Sequence, residues 1–243
     1  KPNLCSKTSK PNPGGMSEYI VIPANKASSI YDIPDGLSYN EAVFTEIVSC
    51  VLESIEKANI KESDKVCIAG SGLTAFIHLQ ILKAMGVTEL YCMYKDDWKK
   101  KLINDMGGIP IYAGDTEQQI KDLIAKETGQ SEGFNVLFEA VGKADVLNKC
   151  LSLCEPNGKV ILFGGYSLNE ENSIQLNNIH YNELQVIGTY HFKEEKFQKA
   201  LELMGQNIVK MDKLITQTLN FWDLNKGVDV LKQRDCIALV INY

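Results

Sequence analysis

Gly70, Ser71, Gly72, Leu73, Thr74 and Ala75 follow the apolar run "KVCIA" as a G-x-G-x-x-A pattern. These residue types at this spacing suit the capture of a pyrophosphate. The first glycine permits a tight turn, the second lets backbone approach the phosphates, and a small third residue lets the next helix pack against the strand before it. The start of that helix then offers free N–H groups and a positive dipole end. A loop with incidental glycines would share the pattern. Its place between a strand-like run and an amphipathic run favours a dinucleotide.

Other positions bear on the same task. In dinucleotide sites an Asp or Glu ending the second strand accepts hydrogen bonds from the adenosine ribose of NAD. Counting through "VTELYCMY" puts Tyr94 there, followed by Lys95. A tyrosine cannot play the carboxylate's part, and Lys95 and Lys99 offer positive charge to the 2'-phosphate of NADP. Asp96 and Asp97 could instead reach ribose hydroxyls, so NADP and NAD both stay open. Ala140, Val141 and Gly142, then Phe163, Gly164 and Gly165, end two further strand-like runs. Ligands of open α/β sheets bind at the carboxyl ends of strands, where glycines let backbone approach a nicotinamide and its ribose; tight turns would use the same residues.

The histidines are His78, His180 and His191. His78 falls on the helix after the glycine turn, where packing or surface is the ordinary role, and His180 reads as surface or interface. His191, after the sixth strand-like run, lies where it could touch coenzyme or substrate. Nothing points to a hydrolase triad. Cys150 and Cys154 are four apart on an expected helix and could share a metal, but their apolar setting favours core packing.

These residues need a scaffold that brings strand ends together. The runs "KVCIAG", "ELYCMY", "GIPIYA", "NVLFEA", "KVILFG" and "LQVIGT" alternate with helical segments from Leu73, Asp96, Thr116 and Ala144, most of them closed by glycine. This predicts an α/β fold, a doubly wound parallel sheet of the Rossmann type with order 3-2-1-4-5-6 if the usual winding holds. Before it, "SEYIVIPA" reads as a strand, "IPDGLS" as a turn, and Tyr39 to Ala58 as one helix. After it come a helix, "EEKFQKALELMG", and a final strand, "IALVINY". The flanks are expected to pack together as part of a second domain.

The chain has 243 residues, 44% hydrophobic and 23% charged, with a net charge of -6. That charge disfavours a nucleic-acid partner, which needs clustered Lys and Arg; Lys99, Lys100 and Lys101 read as a solvated helix face. No apolar run is long enough to span a bilayer. Seven cysteines without a spacing pattern read as thiols of a reducing cytoplasm. The first residue is Lys, and a processing point, a cloning edge and a truncation all stay open as its origin.

Taken in order, "NLC", "GGMSEYIVIPA", "IPDGLSYNEAVFTE", the glycine turn, "VLFEAVG", "GKVILFGG" and "LQVIGT" resemble the medium-chain zinc-dependent alcohol dehydrogenases, which include sorbitol and threonine dehydrogenases. "YCMYKDDWKKKL" and "TEIV" are most similar to the alditol-phosphate branch. The resemblance implies hydride transfer between NAD(P) and a small alcohol, polyol or sugar phosphate, assisted by zinc, in a homodimer or homotetramer. It implies a partial GroES-like catalytic domain over 1–48, an NAD(P)-binding Rossmann domain over 49–192 and a C-terminal return to the catalytic domain over 193–243. It makes Glu46 a possible ligand of the catalytic zinc, though Ile47 stands where the family has proline, and Cys5 a possible ligand of the structural zinc. The remaining zinc ligands would precede Lys1. Two alternatives remain: a non-catalytic nucleotide-binding relative, and a zinc-free reductase of the quinone type.

Overall fold

The computed structural model describes residues 15–129, 133–167, 173–233 and 235–243. It divides into a unit from Cys50 to Tyr190 and a second unit formed by the flanks, up to Ser49 and from His191 onward. The boundary falls inside a helix, α2 (Thr45–Ala58), which follows the single-turn helix α1 (Tyr39–Ala42).

In the first unit, β1 (Val66–Ala69), β2 (Leu90–Tyr94), β3 (Ile109–Tyr112), β4 (Phe134–Glu139), β5 (Cys154–Leu162) and β6 (Gln185–Gly188) form one sheet in the order β3-β2-β1-β4-β5-β6. Every pairing is parallel. The winding reverses between β1 and β4, the point at which open α/β sheets bind ligands. The expected Rossmann topology is thus observed.

The connections are α3 (Leu73–Ala84), α4 (Trp98–Asp105), α5 (Glu117–Thr128), α6 (Ala144–Leu153) and α7 (Leu176–Tyr181). Gly86, Gly107 and Gly129, just beyond α3, α4 and α5, have φ of 89°, 80° and 75°. This left-handed geometry is what a glycine after a helix supplies at least cost. Thr116 and Gln119 close a capping box at the start of α5. Consecutive residues of β4 serve opposite faces. Leu137 joins Ile120, Ile124, Leu147 and Leu151 of α5 and α6, while the Phe138 ring meets His78 of α3 at 4.6 Å. With both faces covered, β1 and β2 are buried throughout.

Three expectations need correction. The segment 17–24 is not a strand: it runs as bends and coil into a 3-10 turn at Ala24–Ser29. Tyr19 and Val21 are 88% and 89% exposed, and no described strand pairs with the segment, so its backbone has no ladder to join. The helix expected over Tyr39 to Ala58 is broken at Val43 and Phe44. There the Phe44 N–H donates to the Glu41 carbonyl at 3.0 Å, a tightened turn, and the Thr45 hydroxyl donates to the Ala42 carbonyl at 2.6 Å. Cys154 is the extended residue that opens β5 and lies beyond the end of α6.

The second unit holds α8 (Glu194–Gly205), α9 (Leu224–Gln233) and a parallel pair, β7 (Ile215–Asn220) with β8 (Ala238–Asn242). The "IPDGLS" turn forms as expected, with Gly36 at φ 84° and the Leu37 N–H donating to the Pro34 carbonyl. Tyr31 packs on Phe197 of α8, with ring centroids 5.0 Å apart.

At the amino end of the sheet Lys65 is ion-paired with Glu155, and both hydrogen-bond to Asn135, its side-chain carbonyl accepting the Lys65 N–H and its amide donating to Glu155, each at 2.7 Å. This clasp joins the starts of β1, β4 and β5. Glu155→Ala leaves the Lys65 ammonium, in a residue 6% exposed, without its counter-charge. The unfolding free energy should fall by about 3 kcal/mol, measured as a lower urea midpoint at unchanged slope, and Lys65→Met combined with Glu155→Leu should recover most of it.

Candidate functional site

The glycine turn sits at the carboxyl end of β1. Gly70 has φ 125°, and a Cβ built there would lie 3.1 Å from a Val141 methyl carbon and 3.7 Å from the Ala140 backbone. The Gly70 carbonyl accepts from the Cys92 thiol at 3.3 Å, and Ser71 is buried. Gly72 precedes the first turn of α3, and no side chain caps that helix. A Cβ on Gly72 would meet nothing within 4 Å. Beside an uncapped helix start there is therefore room that any side chain would fill, which fits a pyrophosphate held by backbone N–H groups. Leu73 and Thr74 form that first turn, while Ala75 is fully buried beneath it.

The loops after β4 and β5 are packed even more tightly. Gly142 has φ 80°, and a Cβ on it would lie 2.3 Å from the Gly165 carbonyl oxygen; one on Gly164 would lie 2.3 Å from the Gly142 nitrogen. Val141 and Gly165 remain exposed. The Phe163 ring turns inward and meets the His78 ring edge-on at 5.1 Å, so what this residue can offer a ligand is its backbone. The structure thus brings Gly70, Ala140, Val141, Gly142, Gly164 and Gly165 together where the winding reverses.

Glu139, which no sequence argument singled out, holds these loops. It is completely buried at the end of β4. Its carboxylate accepts the N–H of Val141 at 2.8 Å, the N–H of Gly142 at 2.9 Å and the Tyr166 hydroxyl at 2.9 Å. Its main-chain carbonyl accepts from Phe163 and Gly164 at 2.9 and 2.8 Å. Burial, and after it the hydrogen bond and charge of Glu139, raise the Tyr166 pKa. An ionisable residue inside "NVLFEA" was the available signal.

At the end of β2, Tyr94 is 7% exposed, with its ring 5.8 Å from that of Tyr112. Lys99 is also buried, and its ammonium pairs with Asp96 at 3.0 Å. Its charge is therefore already met. Lys95 is exposed.

His78 is a core residue with no exposed surface. Its Nδ1 donates to the Thr74 carbonyl at 2.7 Å, and its Nε2, then the acceptor, faces the Ser54 hydroxyl at 2.9 Å. Burial lowers its pKa from 6.5 to about 4. His180 lies exposed on α7. Cys150 and Cys154 are buried, and burial raises both thiols, Cys154 to about 12, so they behave as core. Cys50, Cys67, Cys92, Cys150, Cys154 and Cys236 are all free thiols.

The residues tied to zinc are less complete. In the second unit Glu46, in the first turn of α2, lies 4.0 Å from Nδ1 of His191, whose φ is 52°. Cys5 lies outside the described residues. Among the described residues no group of three or more His, Cys, Asp or Glu could hold a metal ion. They do not fit a zinc site by themselves.

With this geometry in view, residues 75–206 match the family described as zinc-binding dehydrogenase. The chain is 26% identical over 230 residues to (R,R)-butanediol dehydrogenase of Bacillus subtilis, covering 94% of this chain and 64% of that protein. It is 26% identical to sorbitol dehydrogenase of Halalkalibacterium halodurans, covering 98% and 69%, and 23% identical to D-arabitol-phosphate dehydrogenase of Enterococcus avium, covering 94% and 64%. The structure resembles that of 2R,3R-butanediol dehydrogenase from Bacillus subtilis with a TM-score of 0.78 at 24% identity, covering 88% of this chain and 60% of that one. A short chain alcohol dehydrogenase from Escherichia coli CFT073 complexed with NADH has a TM-score of 0.77 at 18% identity, covering 88% and 62%. A Sinorhizobium meliloti 1021 protein bound to NADP has a TM-score of 0.76 at 21% identity, again covering 88% and 62%. This chain therefore spans roughly 60–69% of the length of these proteins.

The neutral His78 is native-like only above its folded pKa, whereas the unfolded imidazole takes a proton near pH 6.5. Stability is therefore full above pH 6.5 and is lost as pH falls toward about 4, by about 3 kcal/mol. In urea titrations between pH 7 and pH 4, His78→Gln should show a loss smaller by that amount. Gly142→Ala, forced into a left-handed backbone and against the Gly165 carbonyl, should cost about 3 kcal/mol, whereas Gly72→Val should leave the thermal midpoint within about 3 °C of wild type.

Proposed function

The chain belongs to the zinc-binding dehydrogenase family, and from that premise we propose that it forms the coenzyme-binding part of an NAD(P)-dependent dehydrogenase of alcohols or polyols. The observation that carries the reading is the open Gly72 beside the uncapped start of α3, at the point where the winding of a six-stranded parallel sheet reverses. The named activities of the relatives support it. So do the structural neighbours that contain NADH or NADP.

When bound, the nicotinamide supplies the group that exchanges a hydride with the carbon bearing the hydroxyl. The work of this chain's residues is binding and orientation. Gly70, Ser71 and Gly72 bring backbone against the pyrophosphate, and Leu73 and Thr74 place the helix start beneath it. Ala75 keeps α3 close to β1. Ala140, Val141 and Gly142, with Phe163, Gly164 and Gly165, present backbone and the Val141 methyls to the nicotinamide side. A ring held at a fixed distance from the reacting carbon gains the rate advantage of orientation. Because the described residues do not complete a zinc site, no step is assigned to the metal, and Glu46 and Cys5 remain proposed partial ligands.

For the adenosine end we propose a preference for NADP over NAD. Tyr94 supplies no carboxylate, and Asp96 is engaged by Lys99, which leaves the exposed Lys95 as the cation for a 2'-phosphate. An alditol phosphate is the proposed substrate class, supported by the Enterococcus avium relative. The proposed setting is the cytoplasm, supported by the free thiols of Cys50, Cys67, Cys92, Cys150, Cys154 and Cys236, and the proposed assembly is a homodimer or homotetramer, as the family resemblance implies. No described helix is long and apolar enough to cross a membrane.

The test is coenzyme turnover by the whole protein with polyols and alditol phosphates, followed at the reduced-nicotinamide absorbance, with metal supplied and chelated. Reduction of NADP is expected, and failure to bind either nicotinamide coenzyme overturns the reading. Gly72→Val should weaken coenzyme about a hundredfold, as expected when one or two charge-assisted hydrogen bonds are lost. Lys95→Ala should weaken NADPH about fivefold and leave NADH unchanged.

A further inference from the structure

Glu139 and Tyr166 lie beneath the loops assigned to the nicotinamide and have no role in the coenzyme reading so far. A buried carboxylate is a costly way to fill a core, since apolar side chains of similar volume are often as stabilising or more so. Its hydrogen bonds show what is obtained instead. The main-chain carbonyl of Glu139 takes the N–H groups of Phe163 and Gly164, while its carboxylate takes those of Val141 and Gly142. One residue thus ties down both strand-end loops at once. Tyr166, directly after Gly165, donates its hydroxyl to the same carboxylate at 2.9 Å and so anchors the far side of the second loop.

The contacts between the loops make this placement demanding. Gly142 and the Gly164–Gly165 backbone approach so closely that neither Gly142 nor Gly164 has room for a Cβ. A shift of either loop must displace the other. The glycine turn is tied differently, through the Cys92 thiol that donates to the Gly70 carbonyl, and α3 begins there without a hydrogen bond to Glu139. The two halves of a dinucleotide laid across the reversal of winding would therefore rest on separately held supports.

We propose that Glu139 and Tyr166 are positioning residues for the nicotinamide half of the coenzyme: they lock the loops 140–142 and 163–165 and leave the adenosine and pyrophosphate half to the turn after β1. The proposal rests on the coenzyme reading above. Its distinctive consequence is that breaking the pair separates the affinities for two ligands that differ only in the nicotinamide ring.

Tyr166→Phe removes the hydroxyl and keeps the ring. Glu139→Gln keeps an oxygen for the Val141 and Gly142 amides and can turn its NH2 toward the Tyr166 oxygen. Titration calorimetry should use whichever of NADH and NADPH binds wild type more tightly, against ADP-ribose or its 2'-phosphate respectively. Tyr166→Phe should weaken the whole coenzyme about tenfold and change the nicotinamide-free ligand less than twofold. Glu139→Gln should behave in the same direction, and amide hydrogen exchange at Val141 and Gly142 should quicken in both variants. Retained ADP-ribose binding shows that the variant is folded; if Glu139→Gln does not fold, Tyr166→Phe decides alone. Equal losses for both ligands, or no loss for either, overturn the positioning role. Failure of wild-type protein to bind either ligand overturns the coenzyme reading instead.

Discussion

A Cβ on Gly142 would stand 2.3 Å from the Gly165 carbonyl oxygen, and one on Gly70 would stand 3.1 Å from Val141. At the carboxyl ends of β1, β4 and β5 the backbones are packed against one another with almost no side chain between them. The rest of the first unit maintains this approach. Parallel pairing sets the strand ends level, in continuous register between β1 and its neighbours and from Val136 onward between β4 and β5. The clasp of Lys65, Glu155 and Asn135 fixes the opposite ends, and the Glu139 carboxylate collects the N–H groups that the tight loops would otherwise leave unpaired.

The same constraint separates two kinds of glycine. Gly70 and Gly142 are required by folding, because their backbone is left-handed and their Cα atoms face other backbone or a side chain. Gly72 is not: its backbone is extended, at φ -89° and ψ -177°, and its Cα faces open space. A glycine with no structural need, beside a helix start with no cap, points to something outside the chain that must come close. That contrast connects packing to function, and it does not depend on resemblance to any other protein.

Much of this was legible in sequence because the signals are local. Strand-length apolar runs, a glycine after most helices and the G-x-G-x-x-A turn each report on a few neighbouring residues, and together they indicate a parallel sheet, whose order followed only on the premise of the usual winding. What escaped depends on partners that spacing alone does not select, some distant in the chain and some within one turn. The alternation in 17–24 looked like a strand, but a strand exists only where another lies beside it. The break at Val43 and Phe44 hangs on one tightened turn and one threonine hydroxyl. Glu139 looked like the polar end of a strand, since the N–H groups it serves are arranged by loops whose paths the sequence does not reveal. Lys99 reads as a free cation in sequence, but its ammonium is paired with Asp96 at 3.0 Å. Glu46 and His191 could be named, but not their 4.0 Å separation.

The central claim is that the carboxyl-end surface where β1, β4 and β5 meet is the coenzyme site. Backbone amide chemical shifts of isotopically labelled protein titrated with NADPH test it most directly. The account predicts concentrated changes at Gly70 to Ala75, at Val141 and Gly142, and at Gly164 and Gly165. Saturable changes confined to other surfaces, such as the cavity of about 320 Å³ lined by Ser17, Phe221, Trp222 and Tyr243, would contradict it.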